Sequence, residues 1–275
     1  MVQFSAYVPS YNNSATVGSA LWCLKYQSIP PAELFLIDDC SADASCELGC
    51  DLGIPVVKMA KNSGRGAVRA KAIDLAQHDL VLCCDATNYL KIDFADHILK
   101  WFADPMVAAV FGQLWQERPQ TLADRWRGRH LFKLQAERPL QHDAPLSTYG
   151  CALRRSAVLQ VGNFNYCLRH SEDADLGHRL LAAGYKVIFD PSLHVISAVS
   201  NSTLEVLDRY WRWHAGPNED ITLYGYLKLI WYAMTVLVPR DIDDGDLLSV
   251  LISLFCPHYQ FWKSKQRKLL GRVQT

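Results

Sequence analysis

Glu172, Asp173 and Asp175 lie together in the segment HSEDADLGHRLLAAGYKVIFDP, which runs from His170 to Pro191. Leu176, Leu180 and Leu181 follow at helical spacing, and Gly184 stops the pattern, so the acids should occupy the first turn of a helix. A β-like run from Tyr185 to Phe189 comes next. Carboxylates at a helix start are held on a stiff element and face outward, which is the presentation a general base needs. The positive end of the helix is expected to keep Asp173 ionised at neutral pH. Glu172 is expected to orient a loop or an acceptor hydroxyl. Asp175 stands four residues before Arg179, a spacing that suits an ion pair.

Three further carboxylates follow apolar runs. Asp38 and Asp39 end the run Glu33 to Ile37, and Asp85 ends Leu80 to Cys84. At a strand end each can accept a hydrogen bond from a ribose hydroxyl or a base N–H, Asp85 can hold a metal, and each can equally cap a helix. Asn62-Ser63-Gly64-Arg65-Gly66 opens a helical pattern. Its backbone amides could approach a phosphate, and Arg65 and Arg69 match phosphate oxygens; the alternative is an ordinary glycine turn.

The elements that must position these groups alternate. Strands are expected at Phe4 to Val8, Glu33 to Ile37, Pro55 to Met59 and Leu80 to Cys84. Helices are expected near Thr16 to Tyr26, near Ala42 to Leu52, and from Gly66 to about Gln77. That order predicts an α/β fold with a mostly parallel sheet and helices on both faces. Ligands bind beyond the carboxyl ends of such strands, so Ser10, Asp38, Asp39 and Asp85 should meet in one crevice.

From about Gln113 to Pro145 the chain is rich in Arg and Trp (Trp115, Arg118, Arg125, Trp126, Arg127, Arg129, Arg138), as a solvated amphipathic helix or part of an anionic-substrate cleft would be. Residues 215–218, AGPN, break the pattern and mark an expected boundary. Beyond it, Leu229 to Pro239 is uncharged but shorter than the roughly 20 residues that span a bilayer. Leu247, Leu248, Leu251, Ile252, Leu254 and Phe255 follow a helical face, and Lys263, Lys265, Arg267, Lys268 and Arg272 come after it. Residues 246–272 are therefore expected either to lie on an anionic membrane surface or to pack on the main domain with a solvated tail.

Twenty-eight basic and 28 acidic residues balance, which argues against nucleic acid as a partner. The N-terminal MVQFSAYVPSYNN lacks the basic flank and long apolar core of a signal peptide. The nine cysteines are scattered and odd in number, and Cys83-Cys84 sits in an apolar run, as reduced thiols in a cytosolic protein would. Cys40, Cys46 and Cys50 lack metal-ligand spacing.

VPSYNN, IDDCSAD, NSGRGAVRAKAI, LVLCCDATNYLKIDF, TYGCALRRSAVLQVGNF and SEDADLGHRLLAAGYKVIFDP occur in one order with compatible spacing. In this the chain resembles glycosyltransferase family 2, over about residues 3 to 215. The resemblance implies a GT-A fold at residues 1–215, with a nucleotide-binding half at about 1–112 and an acceptor half at 113–215, and a helical extension at 216–275. It implies transfer of a sugar from a nucleotide diphosphate sugar, by default a UDP-sugar, to a hydroxyl of a glycan or lipid-linked glycan, with inversion. The nucleobase pocket would fall on Pro9, Ser10, Tyr11 and Asp39, with Arg65 and Arg69 nearby. The base would be Asp173, and the acceptor-side glycine Gly150.

The family's D-x-D would fall on Asp85-Ala86-Thr87. Thr87 replaces the carboxylate that holds Mg²⁺ or Mn²⁺, and Ser197 stands where a His often completes the site, with His194 three residues early. A neutral hydroxyl is a poor ligand for a hard divalent ion, so a metal is expected to bind weakly at Asp85 or not at all. Arg65, Arg69 or Arg212 would then neutralise the leaving group. In RYWRW, Arg212 and Trp213 fit the end of the processive members' Gln-x-x-Arg-Trp, but Arg209 stands in place of Gln, which argues against a processive synthase. The competing expectation is a catalytically inactive scaffold or regulatory subunit.

Overall fold

The computed structural model describes residues 2–117, 119, 121–134, 138–214 and 220–269, with backbone alone at 267–269. Arg118, the 215–218 break and the side chains of Arg267, Lys268 and Arg272 lie outside the described residues.

Eight strands appear in chain order: β1 (Phe4–Ser10), β2 (Glu33–Asp38), β3 (Val56–Lys58), β4 (Leu80–Cys84), β5 (Asn88–Leu90), β6 (Val107–Trp115), β7 (Gly150–Arg154) and β8 (Lys186–Ser197). The α-helices are α1 (Val17–Lys25), α2 (Ser45–Asp51), α3 (Arg65–Leu75), α4 (Phe94–Leu99), α5 (Leu122–Arg127), α6 (Arg155–Gln160), α7 (Glu172–Ala182), α8 (Thr203–His214), α9 (Leu223–Tyr232), α10 (Val238–Asp243) and α11 (Ser249–Leu269).

All eight strands form one sheet in the order β3-β2-β1-β4-β7-β6-β8-β5. The first four in that order are parallel, as the alternation predicts. β1 and β4 read as near-continuous apolar runs because both their faces are buried. The far half makes the sheet mixed: β7 runs antiparallel to β4 and β6, β6 and β8 are parallel, and β5 closes the edge antiparallel to β8. β8 continues to Ser197 rather than stopping at Phe189. The proline at 191 is absorbed where the β6–β8 register shifts between Gly112 and Gln113. Gly112 is glycine there because a Cβ would lie 2.1 Å from the Leu193 carbonyl oxygen.

The chain forms two compact units: Met1–Trp115 with Glu137–Val199, and Gln116–Ala136 with Ser200–Thr275. The first holds the whole sheet. Its core joins Tyr7, Ile37, Val81 and Phe189 of the strands to Val68 and Ile73 of α3 and Leu176 and Leu180 of α7. The division falls differently from the expected boundary at 215. α8 buries Val206, Leu207 and Tyr210, and Tyr210 packs against Trp126 of α5 with ring centroids 5.3 Å apart, so both helices belong to the second unit.

Arg125, Arg127 and Arg129 of the Arg/Trp-rich stretch are held by acids of the second unit, whereas Arg138, in the first unit, lies over the Phe189 ring at 3.8 Å. Arg125 bonds Asp246, and Arg127 is fully buried and pairs with Asp124 at 3.2 Å. Arg129 pairs with Asp241, Asp244 and Asp246. Asp241 is fully buried; one oxygen faces Arg129 at 2.6 Å and His130 Nε2 at 2.8 Å, while the other accepts from Ser253, which in turn accepts from Trp126 Nε1 at 2.8 Å. Removing one member of a buried ion pair leaves the other charge without compensation. Asp241→Ala should therefore cost about 3–5 kcal/mol, seen as a lowered midpoint in thermal or urea unfolding.

Candidate active site

β1 and β2 end side by side, with Ser10 opposite Asp38, and the loops after them are laced together. Asn12 N–H donates to Ser41 Oγ at 2.8 Å, Ala42 N–H donates to Asn12 Oδ1 at 2.9 Å, and Ser14 N–H donates to Asp43 at 2.9 Å. Asn12 and Cys40 hold positive φ angles of 53° and 67°, a strained geometry that tends to gather at functional sites. Ser10 is buried with its hydroxyl lacking a partner, and Tyr11 beside it is exposed. A buried hydroxyl without a partner suits a ligand polar atom.

The two aspartates after β2 have separate tasks. Asp38 is fully buried, and its two oxygens accept from the backbone and hydroxyl of Ser41, so it caps its own turn. Asp39 accepts from the backbone of Ser63 at 2.7 Å and of Gly64 at 2.8 Å. It holds the glycine turn, and only its remaining lone pairs can face a nucleotide.

Those bonds also correct the phosphate-cradle expectation at this turn. The Ser63 and Gly64 amides are taken by Asp39, and that of Gly66 by the Leu168 carbonyl at 3.0 Å. Gly66 is glycine because a Cβ would sit 2.2 Å from the Asn165 carbonyl oxygen. Gly64, at φ 89°, lies under Arg169, whose guanidinium bonds Asn62. Arg65 remains exposed at the first position of α3.

Arg69, one turn further along α3, is buried and donates in three directions: Nε to Glu172 at 3.1 Å, Nη1 to Cys83 Sγ at 3.0 Å and Nη2 to Asp85 Oδ1 at 2.7 Å. Burial alone would favour neutrality, but Asp85, Cys83, Tyr7 and Glu172 hold its pKa well above the usual arginine value. Three of its five N–H donors are engaged in this way and its side chain is buried, so Arg69 holds Glu172 and Asp85 in place. Glu172 is also buried, with one oxygen held by Arg69.

Asp85 follows β4, its amide held by the Tyr149 carbonyl at 3.1 Å, and about a quarter of its side chain is exposed. Tyr149, which the sequence did not single out, also fixes the next turn, since Asn88 Nδ2 donates to its carbonyl at 3.0 Å. Thr87 takes the Ala198 amide at 2.9 Å, and Ser197 pairs with Asn88, so Ser197 does stand beside the D-x-D position. His194 does not: its ring stacks on Trp115 at 4.6 Å.

Asp173 lies in the first turn of α7, behind Ser171 in a left-handed conformation with φ 60°. It is half-buried: part meets solvent, but dense protein around the carboxyl disfavours its charge. That burial raises its pKa and the Glu172 charge raises it further, against opposing contributions from Arg69, the Ala174 amide and Arg65. The helix start was expected to favour the charged form; burial and Glu172 shift the carboxyl the other way. Asp175 forms the expected pair with Arg179 at 2.6 Å.

Gly150 pairs with Cys84, next to Asp85, while Arg212 and Trp213 belong to the second unit. Gly150, on β7, is buried against Val195, whose Cγ2 would be 2.5 Å from an added Cβ, so its side chain is excluded by packing rather than by an acceptor. Arg212 and Trp213 are on α8 in the second unit, where Arg212 faces Asp208 at 3.4 Å and Trp213 is exposed near Phe132.

The sequence pattern of glycosyl transferase family 2 matches residues 5–162, more than half of the chain, and so spans the Asp39, Arg69 and Asp85 positions. The chain belongs to glycosyltransferase family 2. It is an enzyme of the nucleotide-sugar glycosyltransferase class. It is 26% identical over 227 residues to the O-antigen chain rhamnosyltransferase RfbN of Salmonella typhimurium, covering 76% of this chain and 71% of that protein. It is 24% identical over 230 residues to WbaN of Salmonella anatum, with 77% and 71% covered. Among solved structures, the mannosyltransferase PcManGT of Pyrobaculum calidifontis with GDP-Man and Mn²⁺ matches with a TM-score of 0.60 at 15% identity, over 100% of this chain and 77% of that one. Staphylococcus aureus TarS 1-349 with UDP-GlcNAc matches at 0.55 and 15%, over 100% and 93%. At such identities these two show the GT-A-like fold alone.

A divalent ion would find one carboxylate here, Asp85, one of whose oxygens Arg69 already holds. Thr87 and Ser197 add only neutral hydroxyls, and among the described residues there is no group of three or more His, Cys, Asp or Glu suited to a metal. This donor set does not fit a tightly held protein-bound ion.

Because Gly150 answers to Val195, Gly150→Ala should overpack the β7–β8 contact and cost about 1–3 kcal/mol of stability. Val195→Ala in the same chain should restore the melting temperature. A Gly150→Ala enzyme of full stability with only a raised acceptor KM would return Gly150 to the acceptor side.

Proposed function

We propose that this glycosyltransferase moves a sugar from a nucleotide diphosphate sugar, by default a UDP-sugar, to a hydroxyl of a glycan or lipid-linked glycan, with inversion and with Asp173 as the base. The observation that carries the reading is Asp173 half-buried on α7, next to the Arg69–Glu172–Asp85 network at the ends of the strands. A carboxyl with a raised pKa is a stronger proton acceptor once ionised, which suits general-base work near neutral pH.

In this mechanism the acceptor oxygen attacks the anomeric carbon. Its O–H proton passes to Asp173, and the bond to the diphosphate oxygen breaks with its electron pair leaving on the diphosphate. Attack and departure lie on opposite faces, so the anomeric centre inverts. Asp173 returns the proton to solvent through its open side. Ser10, Pro9 and Tyr11 with the free lone pairs of Asp39 form the nucleotide side, and exposed Arg65 supplies positive charge near the leaving group. Arg212 and Trp213 stay candidates for the leaving group and the acceptor. The acceptor class is taken from RfbN and WbaN, named for O-antigen chains, and TarS, named for poly(ribitol-phosphate). These names support a surface polysaccharide, and with it a place at the inner face of a membrane.

Asp173→Asn should lower transfer by at least about 10³-fold while nucleotide binding survives. The sign for stability is opposite. A carboxyl whose folded pKa is raised costs stability when ionised, from the unfolded value upward, so the neutral amide should leave the melting temperature unchanged or higher. The assay is nucleotide diphosphate release from a panel of UDP-, GDP- and dTDP-sugars. In that assay the wild type should keep part of its activity under EDTA. Unchanged turnover in Asp173→Asn would remove it as base, no release from any donor would favour the inactive scaffold, and complete loss under EDTA with rescue by Mn²⁺ would show a required ion.

A further inference from the structure

Two helices of the second unit are apolar on the outside. α9 reads LYGYLKLIWY, and none of its ten residues is buried. Leu223, Leu227 and Trp231 recur every fourth residue on one stripe and are 69%, 55% and 71% exposed. α11 buries Ile252, Cys256 and Tyr259, but it also carries polar residues inward and large apolar ones outward. It buries Ser249, Ser253, Gln260 and Ser264 and exposes Leu251, Phe255 and Trp262. The inward polar stripe is paid for by specific bonds: Ser253 to Asp241 and Trp126, Ser249 to Asp246, and Ser264 to the Ile221 amide. α9 lies along α11 through Tyr226, whose hydroxyl meets His258 at 2.6 Å and whose ring packs on Phe261 at 4.5 Å. The two outward stripes are therefore neighbours. Exposed apolar area on this scale on one unit marks an interaction surface.

We infer that the α9–α11 face docks flat on the surface of a lipid bilayer containing anionic lipid. No described helix is long and apolar enough to cross a membrane, so the contact is with the surface. The stripes carry the aromatic residues that favour a membrane–water boundary: Tyr224, Trp231 and Trp262. Lysines border them with their ammonium groups over aromatic rings. Lys228 Nζ sits 4.5 Å from the Tyr224 ring centre, and Lys263 lies 5.5 Å from Tyr259 and 5.8 Å from Trp262. Asp241, Asp244 and Asp246 are already matched by Arg125 and Arg129, and the chain has no acid after Asp246. Lys263 pairs with Asp208 at 2.9 Å and Lys265 with Asp220, so the border's attraction to an anionic surface rests on Lys228 and on the basic residues that follow in the sequence. The expectation that rested on residues 246–272 is thereby relocated: the contact begins at α9 and is apolar first, with charge at its edge.

The test is co-sedimentation of the full chain with vesicles of phosphatidylcholine alone and of phosphatidylcholine with phosphatidylglycerol. Binding should be about 10-fold or more tighter to the anionic vesicles and weaken at high salt. The Leu227→Gln/Trp231→Gln/Leu251→Gln variant should lose about 10-fold or more of that binding, since each side chain removes apolar contact. Its melting temperature and its donor turnover in solution should match the wild type. A chain that stays in solution with both vesicles overturns the inference. So does micromolar self-association that the triple variant abolishes. Vesicle binding needs neither donor nor acceptor, so its failure leaves the transferase reading standing, and the reverse holds.

Discussion

The candidate site depends on one buried cation. Arg69 has no solvent to share its charge with, and a guanidinium in that position is tolerable only when acids and acceptors surround it. Its rigid fork meets Asp85 with one edge and Glu172 with another. Asp85 is on the turn after β4, and Glu172 opens α7, so the pairing ties two distant stretches of sequence to one point on α3. Asp173 is the next residue along and inherits its position. Burial of its carboxyl first, and then the Glu172 charge that the arginine only partly offsets, move its pKa up rather than down.

Much of the fold was legible because it rests on local rules. The four parallel strands and the helices between them follow from apolar runs and their spacing, and the acids of α7 fall in its first turn as the pattern requires. β6, β7 and the extended β8 were not legible. Their pairing is long-range, and Pro191 hides a strand that continues through a register shift. Within the site, sequence position identified Asp85, Arg69, Glu172 and Asp173 but not how they divide the work. A pattern cannot tell that Asp38 turns inward to Ser41, that Asp39 is engaged by two backbone amides, or that Gly150 yields to Val195. Tyr149 and Arg169 were missed because each acts through contacts to turns far away in the chain.

The second unit follows a different logic. Its interior is unusually polar, with Asp241 serving Arg129, His130 and Ser253, while its outer helices carry Leu, Phe and Trp. α11 still buries Ile252, Cys256 and Tyr259, but its exposed face carries large apolar residues where a water-soluble helix is polar. The arrangement is economical for a surface that meets lipid, since the polar stripe supplies directional bonds and leaves the apolar one free for docking.

The central claim is that Asp173 is the base and that its charge is set by burial and by Glu172. The pH dependence of kcat/KM for the wild type and for Glu172→Gln tests it most directly. The amide can still accept from Arg69 but carries no charge. Activity should fall as pH drops through the raised Asp173 pKa, with the acid limb above the ordinary aspartate value of about 3.9, and Glu172→Gln should move that limb to lower pH. An acid limb that does not move, in a folded and active variant, would contradict the claim.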